Sequence, residues 1–145
     1  MLLFPALSSA QDNPLAALNG NWTGRGTITL SDGSRERINC RVTYDVPGGP
    51  AFMLTLKCAS DSYTFDFHAN GMYGDGRISG SWDELTRHAA GTFTGSVRGP
   101  RIDARAEGQT FSALLSMTTH GNRQTITISS PGSTMSEATI ALSRH

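Results

Sequence analysis

Between Ile38 and Cys58 apolar and polar residues alternate, and the segment complements itself when folded about Gly49. Folding sets Cys40 against Cys58, Val42 against Leu56, Tyr44 against Leu54 and Val46 against Phe52. The intervening Arg37, Asn39, Arg41, Thr43 and Asp45 are all polar. A period of two is the mark of a strand with one buried face. Pro47-Gly48-Gly49-Pro50 supplies the turn. The segment therefore reads as an antiparallel hairpin that brings the chain's two cysteines side by side on its buried face.

The same alternation continues on both sides. A short helical turn is expected over Pro14–Leu18, then a first strand Trp22–Leu30 with its even positions inward. A three-residue turn Asp32-Gly33-Ser34 sets Ile28 against Ile38 and Gly26 against Cys40. After Cys58, a two-residue turn at Ser60-Asp61 sets Cys58 against Tyr63, Leu56 against Phe65 and Leu54 against Phe67. Asn70-Gly71 is a strong tight-turn signal. It sets Phe67 against Gly74, Phe65 against Gly76 and Tyr63 against Ile78, in a strand running on through Gly80 to Trp82. A longer connection covers Asp83–His88.

Beyond it, Gly91, Phe93, Gly95 and Val97 point inward. Gly99-Pro100 sets Val97 against Ile102, Gly95 against Ala104 and Phe93 against Ala106. Gly108-Gln109 sets Ala106 against Phe111 and Ile102 against Leu115, and Gly121-Asn122 sets Met117 against Ile126 and Leu115 against Ile128. Pro131-Gly132 precedes the last strand, where the parity of Ala138, Ile140 and Leu142 requires a bulge or a longer loop.

The expected fold is all-β, a single-domain antiparallel up-and-down barrel of about eight to ten strands. Sixteen glycines among 145 residues fit a curved sheet whose interior alternates large and small side chains. A barrel in lipid needs an apolar outer wall. Here Arg25, Arg41, Lys57, Asp66, Arg77, Asp103 and Arg105 fall outward, and no apolar run is long enough for a helix to cross a bilayer. The chain is thus expected not to span a membrane. Twelve basic and twelve acidic residues cancel, which argues against nucleic acid as a partner.

Residues 1–7 are apolar, and Ser8-Ser9-Ala10 places small residues before Gln11. Residues 1–10 read as the remnant of an export signal and 11–145 as the barrel domain. Export to the periplasm or the medium and a Cys40–Cys58 disulfide support each other.

The opening Gly20-Asn21-Trp22 resembles that of lipocalin-like (calycin-type) barrels, which place this tryptophan at the barrel base. Avidin-like barrels open in a similar way, with Gly-x-Trp-Thr. Trp22-Thr-Gly24, Cys40-Arg-Val-x-Tyr44, Cys58-Ala-Ser and Gly80-Ser-Trp82-x-Glu84 are also similar to a group of small exported proteins of proteobacteria. That resemblance implies a periplasmic setting and carries no activity with it.

Catalytic signatures are missing from the sequence. His68, His88, His120 and His145 make no metal-ligand spacing with one another, with cysteine or with carboxylates. Asp83, Glu84 and His88 share a loop without a nucleophile motif and read as solvated charges. The inward positions hold almost no ionisable group, whereas acid–base chemistry needs one beside the substrate. The expectation is a non-enzymatic protein with no cofactor, no metal and no catalytic residue.

Tyr44, Phe52, Tyr63, Phe65, Phe67 and Trp82 form the candidate ligand-binding set, an aromatic wall facing small residues such as Gly95, Ala104 and Ala113. If the rings fill the space over those residues the interior is a packed core. The protein would then be an envelope-associated interaction or inhibitor module. If they do not, an apolar pocket remains for a lipid or similar small molecule. On the outer face Arg25, Arg41 and Lys57 are expected in one cation row across three strands, its repulsion relieved either by solvent and nearby acids such as Asp66 or by an anionic partner.

Overall fold

The computed structural model describes residues 13–145. Ten strands form one closed, antiparallel, up-and-down barrel in which each strand pairs with its sequence neighbours and β1 with β10. They are β1 (Gly20–Leu30), β2 (Arg35–Asp45), β3 (Ala51–Ala59), β4 (Thr64–Gly74), β5 (Arg77–Glu84), β6 (Ala89–Arg98), β7 (Arg101–Gly108), β8 (Ser112–His120), β9 (Arg123–Ser129) and β10 (Met135–Arg144). A short 3₁₀ helix, Pro14–Leu18, precedes them, and the Asn13 side chain caps it by accepting from the Leu15 N–H. Residues 1–10, read above as an export remnant, lie outside the described residues.

The five loops after the odd-numbered strands make one end of the barrel, the mouth. The four turns after even-numbered strands, the helix and the chain's last residue make the other, the base. At the base Trp22 is fully buried and donates from Nε1 to the Leu18 carbonyl at 2.9 Å. The Arg144 guanidinium lies 4.7 Å over its ring and donates to the carbonyls of Ala17 and Asn19 and to Asn122. One arginine thus ties the helix, the tryptophan and the β8–β9 turn together, and Trp22 occupies the base as the Gly-x-Trp opening implies.

Outside the segment around Asn70-Gly71 the alternation places the strand faces as expected, and several registers agree residue for residue: Cys40 with Cys58, Tyr44 with Leu54, Val97 with Ile102 and Met117 with Ile126. The Cys40–Cys58 disulfide is formed, with Cα atoms 4.2 Å apart. The ladder of that hairpin ends at Asp45 and Met53, so Val46 and Phe52 are buried beside it rather than paired.

Three turns differ from expectation by one residue, and each difference moves the partner by two. The β1–β2 loop is Ser31-Asp32-Gly33, so Ile38 meets Gly26 and Cys40 meets Gly24. Its cause is local: the Asp32 carboxylate accepts from the Ser34 N–H and hydroxyl, which holds Ser34 opposite Leu30. The β3–β4 loop is Asp61-Ser62, closed by Ser60 N–H donating to the Tyr63 carbonyl, so Cys58 meets Phe65 and Leu56 meets Phe67. The β7–β8 loop is Gln109-Thr110, so Ala106 meets Ala113 and Ile102 meets Met117.

The Asn70-Gly71 turn is absent. β4 continues straight through it, and the chain turns at Asp75-Gly76, whose φ angles of 52° and 77° suit a two-residue type I′ hairpin. Tyr73, not Tyr63, therefore meets Ile78, Ala69 meets Trp82 and Phe67 meets Glu84. Gly71 serves packing instead. A Cβ there would lie 2.7 Å from the Cζ atoms of both Phe52 and Phe93, so the missing side chain makes room for two rings. The last connection, residues 130–134, is a longer loop, and the β1–β10 register shifts between Thr29 and Leu30. Both solutions to the parity of β10 are thus used.

Candidate functional site

The barrel interior is two unlike halves. Around Trp22, Tyr44 and Phe52 it is packed. Tyr44 is buried edge-on to Trp22, its hydroxyl donates to Gln124 Oε1 at 2.8 Å, and burial pushes its pKa up against the opposing effect of that hydrogen bond. Phe52 packs on Phe93 over Gly71. Toward the mouth a cavity of about 350 Å³ remains, lined by Tyr63, Phe65, Phe67, Phe111, Leu115 and their neighbours. The small side chains of Ala106 and Ala113, paired across β7 and β8, leave that space open.

Of the six aromatics expected to bind a ligand, Tyr63, Phe65 and Phe67 lie on the cavity wall. Trp82 stands behind the wall. It stacks on Phe67 at 5.7 Å, meets the edge of Phe111 at 5.2 Å and donates from Nε1 to the Thr92 carbonyl. Tyr44 and Phe52 belong to the packed half. A second, smaller cavity of about 260 Å³ lies at the base beside the helix and the β6–β7 turn.

The mouth carries a polar assembly that reading Asp83–His88 as solvated charges misses. Glu84 is buried, with 6 % of its surface exposed, and lines the cavity. Its carboxylate accepts from the backbone N–H of Asp66 (2.8 Å), Thr86 (3.2 Å) and Arg87 (3.0 Å), from the Thr86 hydroxyl and from Arg87 Nη1 (3.1 Å). Burial alone would raise its pKa; the hydrogen bonds outweigh burial and hold it below the usual glutamate range. The Arg87 guanidinium lies 4.1 Å over the Tyr63 ring. Burial raises the Tyr63 pKa, Arg87 opposes the rise and Glu84 adds to it.

Because the folded-state pKa of Glu84 is depressed, its contribution to stability is complete above the ordinary glutamate value of about 4.3 and is lost as pH falls through the folded value. Glu84→Gln is therefore expected to flatten the acid limb of the stability profile relative to wild type. Urea midpoints measured from pH 7 down to 3 read this directly, and parallel curves for the two proteins would contradict it.

On the outer face Arg41 lies between Thr23 and Lys57, and Lys57 lies opposite Asp66. Arg25 is not in that row: it sits between Asn39 and Ala141, displaced by the slipped β1–β2 register. Asp66 makes its close contact with His68, at 2.7 Å, and not with Lys57 opposite it. The same outer face of β2 adds the exposed Arg35 and Arg37. Among the described residues none of Arg25, Arg35, Arg37, Arg41 and Lys57 forms an ion pair; the pairs that form are His68–Asp66, Arg87–Glu84, Arg101–Asp103 and Arg105–Glu107. Among them, too, no three His, Cys, Asp or Glu side chains gather as a metal site, and no helix is long and apolar enough to cross a membrane.

No sequence-family model and no curated protein sequence matches this chain. Solved structures do share its fold. The crystal structure of Rv2717c from M. tuberculosis superposes with a TM-score of 0.71 at 14% identity, covering 97% of this chain and 99% of that one. Fatty-acid-binding protein 1 of Echinococcus granulosus superposes with a TM-score of 0.55 at 10% identity, covering 89% and 98%. A redesigned β barrel gives 0.51 at 10% identity, covering 96% and 99%. At these identities the likeness is one of fold alone: a closed antiparallel barrel.

Proposed function

We propose that this protein is an exported, non-enzymatic barrel that binds an apolar small molecule or lipid in the mouth half of its interior. The cavity carries the reading. About 350 Å³ of mainly apolar, aromatic-walled space opens at one end of the barrel, and it exceeds the cavity of about 260 Å³ at the other. That volume falls at the lower end of the roughly 300–1,000 Å³ usual for small-molecule sites. The fold shared with a fatty-acid-binding protein agrees with it. The disulfide is consistent with an oxidising compartment, as is the resemblance to small exported proteobacterial proteins. A binding rather than catalytic role is supported by Glu84, whose saturated, ionised carboxylate is poorly suited to exchanging protons with a substrate.

Nile red, a neutral apolar dye, tests the reading. Saturable one-to-one uptake is expected, with displacement by undecane. Ala113→Trp, which puts a ring into the cavity, should weaken uptake by at least about tenfold while the circular dichroism stays that of the barrel. Absence of saturable uptake, together with nothing apolar in the organic extract of the native protein, would refute it.

A second reading concerns the outer face. Five cations without acidic partners on β1–β3 suit an anionic surface. Retention on vesicles rich in phosphatidylglycerol at low salt is expected to fall sharply in Arg41→Glu with the fold preserved. Equal retention of the two proteins would remove this face from consideration.

A further inference from the structure

We infer that the cavity selects an uncharged, medium-chain ligand whose polar end is a hydrogen-bond acceptor, such as a ketone or an ester, and discriminates against the corresponding free acid. This rests on the binding reading above and adds the chemistry of the ligand's head.

The titratable side chains on the cavity wall are Tyr63, Glu84 and Arg87. The last two form an ion pair at 3.1 Å, so the cavity wall carries no net charge to draw an anion in. Glu84 has no acceptor capacity left for a ligand, because both oxygens already receive several donors. Its charge cancels most of the attraction that Arg87 would otherwise exert on an anion.

Arg87 is occupied on one side only. Its Nη1 donates to the Thr64 carbonyl, the Thr86 hydroxyl and Glu84. Its Nε and Nη2 make no hydrogen bond among the described residues, although they belong to the same rigid fork. The guanidinium cannot swing freely, since Nη1 is clamped and the plane rests over Tyr63. Arg87 therefore brings to the cavity rim N–H groups outside the clamp, on a cation whose charge Glu84 balances. A carbonyl oxygen uses such donors at little desolvation cost. A carboxylate must give up far more hydration to reach them, and Glu84 leaves it little net attraction in return.

Volume sets the length. Taking about 30 Å³ per heavy atom, as for liquid water, the cavity holds roughly a dozen. 2-Undecanone and decanoate are then matched in size and differ in charge.

The experiment is displacement of Nile red at pH 8 by 2-undecanone, decanoate and undecane. The ketone is expected to displace the dye at a concentration at least about tenfold lower than decanoate. Decanoate should improve as pH is lowered toward 5 and the acid takes up its proton. Glu84→Gln should narrow or reverse the preference by leaving Arg87 uncompensated. Arg87→Gln should weaken the ketone and leave undecane unchanged, a contrast that an unfolded mouth would not produce. The first two results need no variant and stand even if both variants misfold. Decanoate equal to or better than the ketone in the wild type, with undecane still competing, overturns this inference alone. No saturable uptake of dye overturns it together with the binding reading.

Discussion

Trp22→Ala is expected to cost about 3–5 kcal/mol. That is a large share of the roughly 5–15 kcal/mol by which a domain of this kind is stable. The ring is fully buried, edge-on to Tyr44 and beneath Arg144. Its removal leaves a void beside the smaller cavity that Leu18 and Arg144 already line, deprives the Leu18 carbonyl of its donor and takes away the ring beneath Arg144. The 3₁₀ helix should detach with it. Trp22→Phe keeps most of the buried area and loses the indole N–H, so a smaller cost of about 1–2 kcal/mol is expected. Urea unfolding followed through Trp82, the other tryptophan, measures both. A loss below about 1 kcal/mol for the alanine variant would show that the base is not organised around this ring.

The double change Cys40→Ala/Cys58→Ala is expected to cost about 3 kcal/mol, the loop-closure value for a bridge spanning 18 residues. Both sulfurs face inward between Gly24 and Phe65, so the loss is mainly that of the constraint rather than of a surface contact. The wild type in reductant should approach the double variant. Intact mass of protein from its native host, kept oxidised, reports two expectations at once: a mature chain beginning at Gln11 and two hydrogens fewer than the reduced form. Recovery of two free thiols would remove the staple.

The inward and outward faces were legible in the chain because side chains alternate with a period of two, and a turn misplaced by one residue shifts the partner by two, returning every side chain to its face. Register is a finer matter. It hung on hydrogen bonds at the loops, such as Asp32 to Ser34, that alternation does not report. Asn70-Gly71 misled for a specific reason: asparagine–glycine favours a tight turn, but Gly71 is required where two phenylalanine rings converge, and Asp75-Gly76 five residues on turns the chain equally well. The cavity's aromatic wall was half legible. Tyr63, Phe65 and Phe67 were found; Tyr44 and Phe52 could not be separated from them, because only depth along the barrel axis distinguishes filled from open space. Glu84 could have been found. It continues the inward series Ile78, Gly80, Trp82, and a carboxylate on that face has to be buried and satisfied. Arg87 could not, since it reaches the site from a loop with no period.

Closure itself constrains how such a molecule comes into being. The β1–β10 seam joins the first strand to the last, and His145 N–H reaches back to the Asn21 carbonyl at 3.0 Å. A nascent chain lacking its final ten residues has two exposed sheet edges and nothing to seal them, the state most prone to joining a neighbour. Such long-range pairing also places folding in the millisecond-to-second regime typical of non-local topologies. The ribbon must therefore be complete before it can close, and a chaperone that shields strand edges would matter more to its yield than one that shields apolar patches.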